Sequence, residues 1–258
     1  MNHASNVNAV GKLIAVKDAL FLRKNGSPEK NHIPFILGET NSLYNEGKPG
    51  LSNTFGAALW GFDFALYCAS QGIQRIHMHQ GTGYRYASWQ PITTNETSIG
   101  TKPPYYGNIA VAAFLGDLTT GLNVSIVNLP LANDSHQAAY AAYVGGHLVR
   151  VAVVNLDQYN YTVNGTSSVL NPVPRPLRSY EFKVPGWSEG EKVQVRRLLA
   201  NGSDALSGVT WDGWSYNYEL NHGQPVRLDN ITVGEEIVVI DGVVSLDVPD
   251  SSAAVLDL

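Results

Sequence analysis

The spacing of apolar residues divides the first 118 residues into alternating helices and strands. Helical periodicity runs over three segments, and the two apolar runs between them have the length of strands. The predicted elements are, in order, a helix over 6–25, a strand over 32–39, a helix over 51–71, a strand over 73–79 and a helix over about 105–118. A strand, a helix and a strand in succession favour a βαβ unit with parallel strands and a right-handed crossover.

The ends of these helices are also marked in the sequence. Val10, Leu13, Val16 and Leu20 share one face of the first helix, and Gly26 is placed to end it. For the second helix, the hydroxyl and amide side chains of residues 52–54 precede the periodic segment and Gly72 follows it. These are typical positions for an N-cap and a C-terminal stop.

The pattern changes after residue 122, where short β-branched or alternating runs recur between turn residues. The predicted strands cover 124–127, 138–144, 147–155, 179–184, 192–199, 235–240 and 253–256. Gly145-Gly146 and Asp241-Gly242 are typical of hairpin turns, and this spacing predicts an antiparallel β-sandwich. The sequence therefore predicts two domains, residues 1–120 and 121–258.

Composition narrows the class of protein. With 258 residues, of which 44% are hydrophobic, the chain can bury a core, and it has no apolar run long enough for a membrane span. A net charge of −5 and the lack of a basic cluster argue against nucleic-acid binding. Cys68 is the single cysteine, so no intrachain disulfide forms, and we expect a free buried thiol.

Glu39 is the main candidate for chemistry in the first domain. It ends the apolar run that includes Phe35, Ile36 and Leu37. In a (β/α)8 barrel the strands are apolar and the reacting side chains sit at their carboxyl ends, so a glutamate there is typical of catalysis. The alternative is an ordinary loop glutamate after a strand.

Three segments together resemble the last third of a family 79 glycoside hydrolase. They are Phe35-Ile36-Leu37-Gly38-Glu39-Thr40-Asn41-Ser42, Pro49-Gly50-Leu51-Ser52-Asn53-Thr54-Phe55-Gly56-Ala57-Ala58-Leu59-Trp60 and Gly81-Thr82-Gly83-Tyr84-Arg85-Tyr86. That family holds β-glucuronidases and is related to heparanase. The resemblance covers the whole chain, because the remainder resembles the family's C-terminal β-sandwich. It implies the last part of a (β/α)8 TIM barrel, strands seven and eight, followed by that sandwich.

The resemblance also implies roles for particular residues. Glu39 corresponds to the nucleophile that ends barrel strand seven, and Gly83 and Tyr84 correspond to a pair that recognises the uronate carboxylate. Arg85 and His79 are further candidates for substrate contact. The competing interpretation is that the tyrosines of this loop only pack it onto the barrel rim.

One of the two carboxyl groups expected in the active site, and most of the expected barrel, are missing from the sequence. A full barrel takes about 250 residues, and a retaining glycosidase needs a second carboxyl group as acid/base. The resemblance places that glutamate on strand four, and Glu46 and Glu96 occur in predicted loops. We therefore expect the chain to be a C-terminal portion, a fragment, shortened gene model or processed subunit, that is inactive alone and pairs with the first part of the barrel.

A second hypothesis is a non-catalytic remnant whose sandwich binds a glycan or a partner protein. The aromatic segment from Trp211 to Tyr218 is the candidate surface for such binding. The alternative for this segment is aromatic packing at a domain interface.

Seven Asn-x-Ser/Thr sequons exceed the roughly two or three expected by composition. They begin at Asn95, Asn123, Asn133, Asn160, Asn164, Asn201 and Asn230. This excess predicts a glycosylated, secreted protein, although turn-rich β-proteins also carry many Asn, Ser and Thr residues. The lack of an N-terminal signal peptide favours a missing front part over a cytosolic protein.

Neither a metal nor a cofactor is expected. His77 and His79 lie two apart on one predicted strand and so point to the same side, but a third ligand at metal spacing is not visible. Packing or hydrogen bonding inside the barrel is the alternative. The sequence also contains no glycine-rich phosphate loop and no dinucleotide fingerprint.

Overall fold

A computed structural model describes residues 2–21, 34–131, 135–161 and 174–258. Several sequence-based predictions lie outside these residues. They are the helix stop at Gly26, the first residues of the predicted strand at 32–33, and the sequons at Asn133 and Asn164.

The described residues contain four α-helices, one 3₁₀ helix and fifteen strands. The helices are α1 His3–Phe21, α2 Phe55–Ser70, α3 Pro104–Leu115 and α4 Tyr218–Asn221, and the 3₁₀ helix covers Leu118–Thr120. The first eight strands are β1 Ile36–Thr40, β2 Arg75–Met78, β3 Trp89–Gln90, β4 Gly100–Thr101, β5 Val124–Leu129, β6 Gln137–Val144, β7 His147–Asn155 and β8 Leu177–Lys183. The others are β9 Lys192–Leu199, β10 Thr210–Trp211, β11 Trp214–Ser215, β12 Val226–Arg227, β13 Glu235–Val238, β14 Val243–Pro249 and β15 Ser252–Asp257.

The predicted βαβ unit is present in the first part of the chain. β1 and β2 pair in parallel, with Ile36 opposite Arg75 and Leu37 opposite Ile76, and α2 connects them. Because the strands are parallel, their carboxyl ends lie at the same edge. This edge positions the candidate site described below.

The strand β1 is less buried than the sequence predicts. Leu37 is buried, whereas Ile36, Gly38 and Glu39 are exposed. Leu37 packs with α1 and α2 in a small core, and the opposite face of the strand pair is uncovered within the described chain.

Helix α2 carries most of the apolar contacts of this part. Leu59, Phe62 and Leu66 are fully buried against the β region. The predicted N-terminal cap is only partly correct, because Thr54 is the N-cap residue but its hydroxyl donates to the carbonyl of Leu51. The first helical amides, of Phe55 and Gly56, donate instead to carbonyls of the loop at 203–205.

Helix α1 confirms only half of its predicted apolar face. Val10 is fully buried and Leu13 packs against the small core, but Val16 and Leu20 are exposed. Helix α1 contacts α2 along most of its length, from His3, beside a buried carboxylate of α2, to Lys17, which donates to the Gln71 carbonyl.

That carboxylate belongs to Asp63, which is fully buried. It accepts hydrogen bonds from the Tyr140 hydroxyl at 2.6 Å and from the Asn6 amide at 2.7 Å, and His3 Nδ1 lies 2.9 Å away. Burial, and then the negative field of Asp63, holds the pKa of Tyr140 well above its ordinary value. The cluster ties α1, α2 and β6 together through polar contacts that no local pattern predicts.

The second part of the chain is built on one large antiparallel sheet. Its strand order is β12-β11-β10-β9-β15-β7-β6-β5, and β13 also pairs with β9. All seven strands predicted in this region are present, with bounds within two residues of the prediction. Gly145 and Gly146 form the predicted hairpin turn, and both have positive φ.

The sheet is covered on both faces. One face packs against α2 and α3 in a continuous core. The other packs against an antiparallel pair, β8 and β14, which contributes residues such as Phe182 and Leu246. Strand β14 was not predicted, although Val244, Leu246 and Val248 alternate with polar residues as in a half-buried strand.

Cys68 is a buried free thiol. Burial, with a smaller contribution from Asp63, raises the pKa of this thiol to about 12.

Among the helices that the structure describes, none has the combination of length and apolar character needed to cross a bilayer.

Candidate active site

Glu39 is the next-to-last residue of β1, and its side chain is 74% exposed. His79 directly follows β2 at the same edge of the strand pair. His79 Nε2 lies 4.0 Å from Glu39 Oε1. The parallel pairing thus brings together two residues that are 40 positions apart.

The ends of the two strands are held together by the residues that follow Glu39. The His79 amide donates to the Thr40 carbonyl at 2.9 Å, and the Asn41 side-chain amide donates to the His79 carbonyl at 3.0 Å. Asn41 Oδ1 also accepts the Ser42 amide at 2.7 Å. These contacts fix the backbone of Glu39 and His79 relative to each other.

Two tyrosines surround the His79 ring. The Tyr84 ring stacks on it with centroids 5.2 Å apart, and the Tyr86 hydroxyl lies 3.1 Å from His79 Nδ1. Because Nδ1 is engaged by Tyr86, Nε2 is the nitrogen that faces Glu39. Burial raises the pKa of Tyr86, and the negative fields of Tyr84, Glu39 and Glu46 add to this, so the phenol stays protonated.

The loop that carries Tyr84 needs its two glycines. Gly83 has a φ of +86°, a conformation that side chains disfavour. A Cβ at Gly81 would overlap the Tyr84 ring. The Tyr84 ring therefore lies against the backbone of its own loop on one side and beside His79.

The Gln90 side chain holds this loop through hydrogen bonds to its backbone. This role of Gln90 was not predicted from the sequence. Its side chain is buried, accepts the Gly83 amide at 2.9 Å and donates to the carbonyls of Tyr84 at 3.0 Å and Gly81 at 3.2 Å. The only local feature of the sequence that could have indicated this role is a polar residue directly after a tryptophan, which is a strand-forming residue. Its partners could not be read from the sequence.

Two groups that were predicted to contact the substrate have partners within the protein. The Gly83 amide, expected to bind a carboxylate, donates to Gln90. The Arg85 guanidinium forms an ion pair with Glu96. In the described structure, Gly83 shapes the loop and Arg85 fastens it, while the Tyr84 hydroxyl makes no hydrogen bond with the described residues.

The candidate metal ligands do not form a cluster. His77 is exposed on β2, and His79 interacts with Glu39 and the two tyrosines. Within the described part of the chain, no group of three or more His, Cys, Asp or Glu side chains is placed to hold a metal ion. The site therefore offers a carboxylate, an imidazole and phenols as its chemical groups.

Some residues of the aromatic segment after residue 210 are packed against other residues, and others are exposed. Trp211 is buried in the main core with the Arg196 guanidinium over its ring, and Tyr216 packs against Tyr106. Trp214 is exposed. Packing at the interface with α3 accounts for most of this segment.

The sequons within the described residues differ in exposure. Four of them are exposed, at Asn95, Asn123, Asn201 and Asn230. Asn160 is half-buried, and its side-chain oxygen accepts a hydrogen bond from the Ser203 hydroxyl.

Comparison with known proteins agrees with this architecture. Residues 139–255 match the family model described as the glycosyl hydrolase family 79 C-terminal beta domain. The whole chain is 58% identical to a β-glucuronidase from Aspergillus niger and covers 47% of it. Over 77% of its length it is 53% identical to a β-glucuronidase from Neurospora crassa, of which it covers 39%.

A solved structure shares the fold. It is a 4-O-α-L-rhamnosyl-β-D-glucuronidase from Fusarium oxysporum 12S in complex with Rha-GlcA. The TM-score is 0.70 at 24% sequence identity, and the match covers 95% of this chain and 48% of that one.

These findings place residues 139–255 in the C-terminal beta domain of glycosyl hydrolase family 79. This domain and the two β-glucuronidase relatives confirm the resemblance to glycoside hydrolase family 79 that the sequence predicts. The chain spans less than half the length of both curated relatives.

Proposed function

We propose that this chain forms the nucleophile-bearing part of a retaining glycoside hydrolase that acts on β-linked glucuronides. The observation that carries this proposal is the meeting of Glu39 and His79 at the carboxyl ends of two parallel strands, 4.0 Å apart and beside Tyr84. The names of the two curated relatives support the choice of glucuronide as substrate.

In this mechanism Glu39 attacks the anomeric carbon and forms a covalent glycosyl intermediate. A second carboxyl group protonates the leaving oxygen and later activates water, and it must lie about 5 to 5.5 Å from Glu39. We propose that this acid/base belongs to the part of the barrel outside this chain. The chain alone is then inactive.

His79 and Tyr84 complete the site from this chain. Tyr86 engages Nδ1 of His79, which leaves Nε2 to donate to Glu39 or to a sugar hydroxyl. The Tyr84 hydroxyl donates to the carboxylate of the sugar. Gly83 and Arg85 contribute indirectly, through the shape and attachment of the loop.

We propose that residues 1–120 supply strands seven and eight of a (β/α)8 barrel and that residues 121–258 form a β-sandwich domain. The parallel pair β1–β2 and the uncovered face of β1 support the first part. The large sheet and the β8–β14 pair that covers it support the second.

We further propose that the protein is secreted and glycosylated. The four exposed sequons support this, because N-linked glycans require surface positions in the folded protein. The partner in this setting is a carbohydrate substrate.

The nucleophile is tested in a chimera that joins the preceding part of the A. niger relative to this chain. Glu39→Gln should abolish turnover of an aryl β-glucuronide, because an amide cannot form the covalent intermediate. A 2-fluoro glucuronide should label Glu39 in the unaltered chimera. Glu46→Gln is the matched control, since Glu46 is an exposed carboxylate in the next loop, and it should retain activity.

Labelling of another carboxylate would refute the assignment of Glu39. An active Glu39→Gln variant would refute the mechanism. If the chimera folds and binds glycans but hydrolyses none, the non-catalytic alternative is favoured.

A further inference from the structure

The Gln90 side chain makes three hydrogen bonds to the Tyr84 loop that the proposed mechanism does not use. Its Oε1 accepts the Gly83 amide at 2.9 Å, and its Nε2 donates to the carbonyls of Tyr84 at 3.0 Å and Gly81 at 3.2 Å. Gln90 is only 2% exposed, so water does not compete for these bonds. A buried amide with these partners has one favourable orientation, and it fixes the loop backbone at Tyr84 and on its N-terminal side.

The strand that carries Gln90 is itself fixed by the β region. In the β3–β4 hairpin, Gln90 is paired with Gly100. Gly100 is buried and has a φ of +107°, and a Cβ there would overlap the Tyr218 side chain at the start of α4. The hairpin backbone and α4 are therefore in close contact. The β region thus supports the strand from which Gln90 reaches the Tyr84 loop.

The segment that joins β3 to β4 also contacts the Tyr84 loop. Glu96 forms the ion pair with Arg85, and a Cβ at Gly83 would lie 3.5 Å from Thr94 Oγ1. The Glu96 side chain is half exposed, and exposed ion pairs contribute little to stability. The three buried hydrogen bonds of Gln90 are therefore the main attachment of this loop to the hairpin.

The position of the Tyr84 phenol depends on this attachment. Two of the three bonds are to Tyr84 itself and to the residue before it. A shift of this backbone moves the ring that stacks on His79. Misplacement of a group that contacts substrate by about 1 Å can reduce catalysis on the order of 100-fold.

We propose that Gln90 is a positioning residue that sets the selectivity for an acidic sugar by holding Tyr84 in place. This inference rests on the proposed function, in which the Tyr84 hydroxyl donates to the carboxylate of the sugar. Gln90 acts on the sugar only through Tyr84. Selectivity then depends on a hairpin that the β region supports as well as on the tyrosine.

The test uses the chimera that joins the preceding part of the A. niger relative to this chain. It measures kcat/KM on an aryl β-glucuronide and on the matching aryl β-glucoside. Gln90→Met keeps the approximate length of the side chain and removes all three hydrogen bonds. The glucuronide-to-glucoside ratio should fall about tenfold, the lower end of what one hydrogen bond to a charged group contributes. Equal losses on both sugars would overturn the proposal, because general destabilisation has that result.

Gln90→Glu gives a second measurement with nearly the same side-chain shape. An ionised carboxylate only accepts hydrogen bonds, so it would place an acceptor against the carbonyls of Gly81 and Tyr84. A protonated carboxyl group has one O–H donor and restores one of these bonds, and burial favours this form. Relative to the unaltered chimera at each pH, the ratio should be low at pH 7 and recover as the pH falls toward 4. A relative ratio that does not change with pH would overturn the proposal.

Two comparisons show whether Gln90 acts through Tyr84. In the Tyr84→Phe chimera the positioned hydroxyl is absent, so Gln90→Met should cause no further fall in the ratio. Gln74→Glu is the matched control, since Gln74 is exposed and outside the hairpin, and it should leave the ratio unchanged. A further tenfold fall in the Tyr84→Phe chimera, or an equal fall in Gln74→Glu, would overturn the proposal.

Hydrogen exchange separates failure of this inference from failure of the proposed function, because it needs no activity. In the 258-residue chain, the Gly83 amide should exchange faster in Gln90→Met than in the unaltered chain, since its bond to Gln90 is lost. If the unaltered chimera hydrolyses neither sugar, the proposed function fails, and faster exchange still supports the role of Gln90 in ordering the loop. Equal exchange in the two chains would overturn that role.

Discussion

The Tyr84 ring stacks on the imidazole of His79, with centroids 5.2 Å apart and planes inclined by 22°. His79 in turn lies 4.0 Å from Glu39. A residue of the loop after β2 is thereby placed beside the predicted nucleophile at the end of β1.

Tyr84→Phe tests whether this loop selects for an acidic sugar. A hydrogen bond to a charged group contributes about 1.5 to 3 kcal/mol. In the chimera that joins the preceding part of the A. niger relative to this chain, kcat/KM on an aryl β-glucuronide should therefore fall about 10- to 150-fold. The same variant should lose far less on the matching aryl β-glucoside, which lacks the carboxylate.

Tyr86→Phe provides the control, because it removes the contact with His79 and should lower both activities together. Equal losses on both sugars in Tyr84→Phe would mean that Tyr84 only packs the loop. The proposal of a glucuronide substrate would then lose its main support within this chain.

Tyr140 predicts how stability depends on alkaline pH. Its pKa in the folded protein is raised by burial and by Asp63, so the folded state keeps a proton that the unfolded state loses above pH 10. The stabilisation is fully present below pH 10 and decreases as pH rises, by about 1.4 kcal/mol per pH unit for each such group. Tyr140→Phe should be less stable at neutral pH and should show a shallower alkaline decline.

Urea unfolding of the unaltered protein and of Tyr140→Phe between pH 8 and 11 measures the difference in how their free energies of unfolding depend on pH. Tyr44→Phe is a suitable control, since Tyr44 is exposed and outside the cluster. An alkaline slope that does not change in Tyr140→Phe would contradict the role of the Asp63 cluster.

Glycosylation should follow the exposure of the sequons. In material from a secreting eukaryotic host, the exposed Asn95, Asn123, Asn201 and Asn230 should carry glycans, because a glycan there meets solvent. Asn160 should be occupied less, since its side chain is bonded to Ser203. Peptide mass spectrometry after deglycosylation in H₂¹⁸O measures each site, and bare asparagines throughout would remove the support for secretion.

The isolated chain should self-associate or unfold at low denaturant. The parallel pair β1–β2 has exposed apolar residues such as Ile36, and open strand edges pair with other chains. Light scattering coupled to size exclusion should detect oligomers, and Ile36→Lys should shift them toward monomer. A compact monomer with cooperative unfolding would show instead that this part of the chain is stable by itself.

Much of the secondary structure could be predicted because local periodicity determines it. The seven strands of the β region, the hairpin at Gly145-Gly146 and the βαβ unit all follow from spacing over a few residues. Short elements such as β10, β11 and β12 were missed, because two residues are too few to show a period. The exposed Val16 and Leu20 show the opposite error, since their helical spacing suggested burial that no element among the described residues supplies.

The sequence by itself determined the position of Glu39 at a strand end, the glycines of the Tyr84 loop and the resemblance to family 79. These features depend on residues that are close together in the chain. The tertiary structure decided the partners of polar groups: Gln90 beneath the loop, Tyr86 on His79, and Tyr140 on Asp63 across 77 positions. Such partners depend on which segments the sheet and helices bring together, and a buried polar group is stable only with the partner that the fold provides.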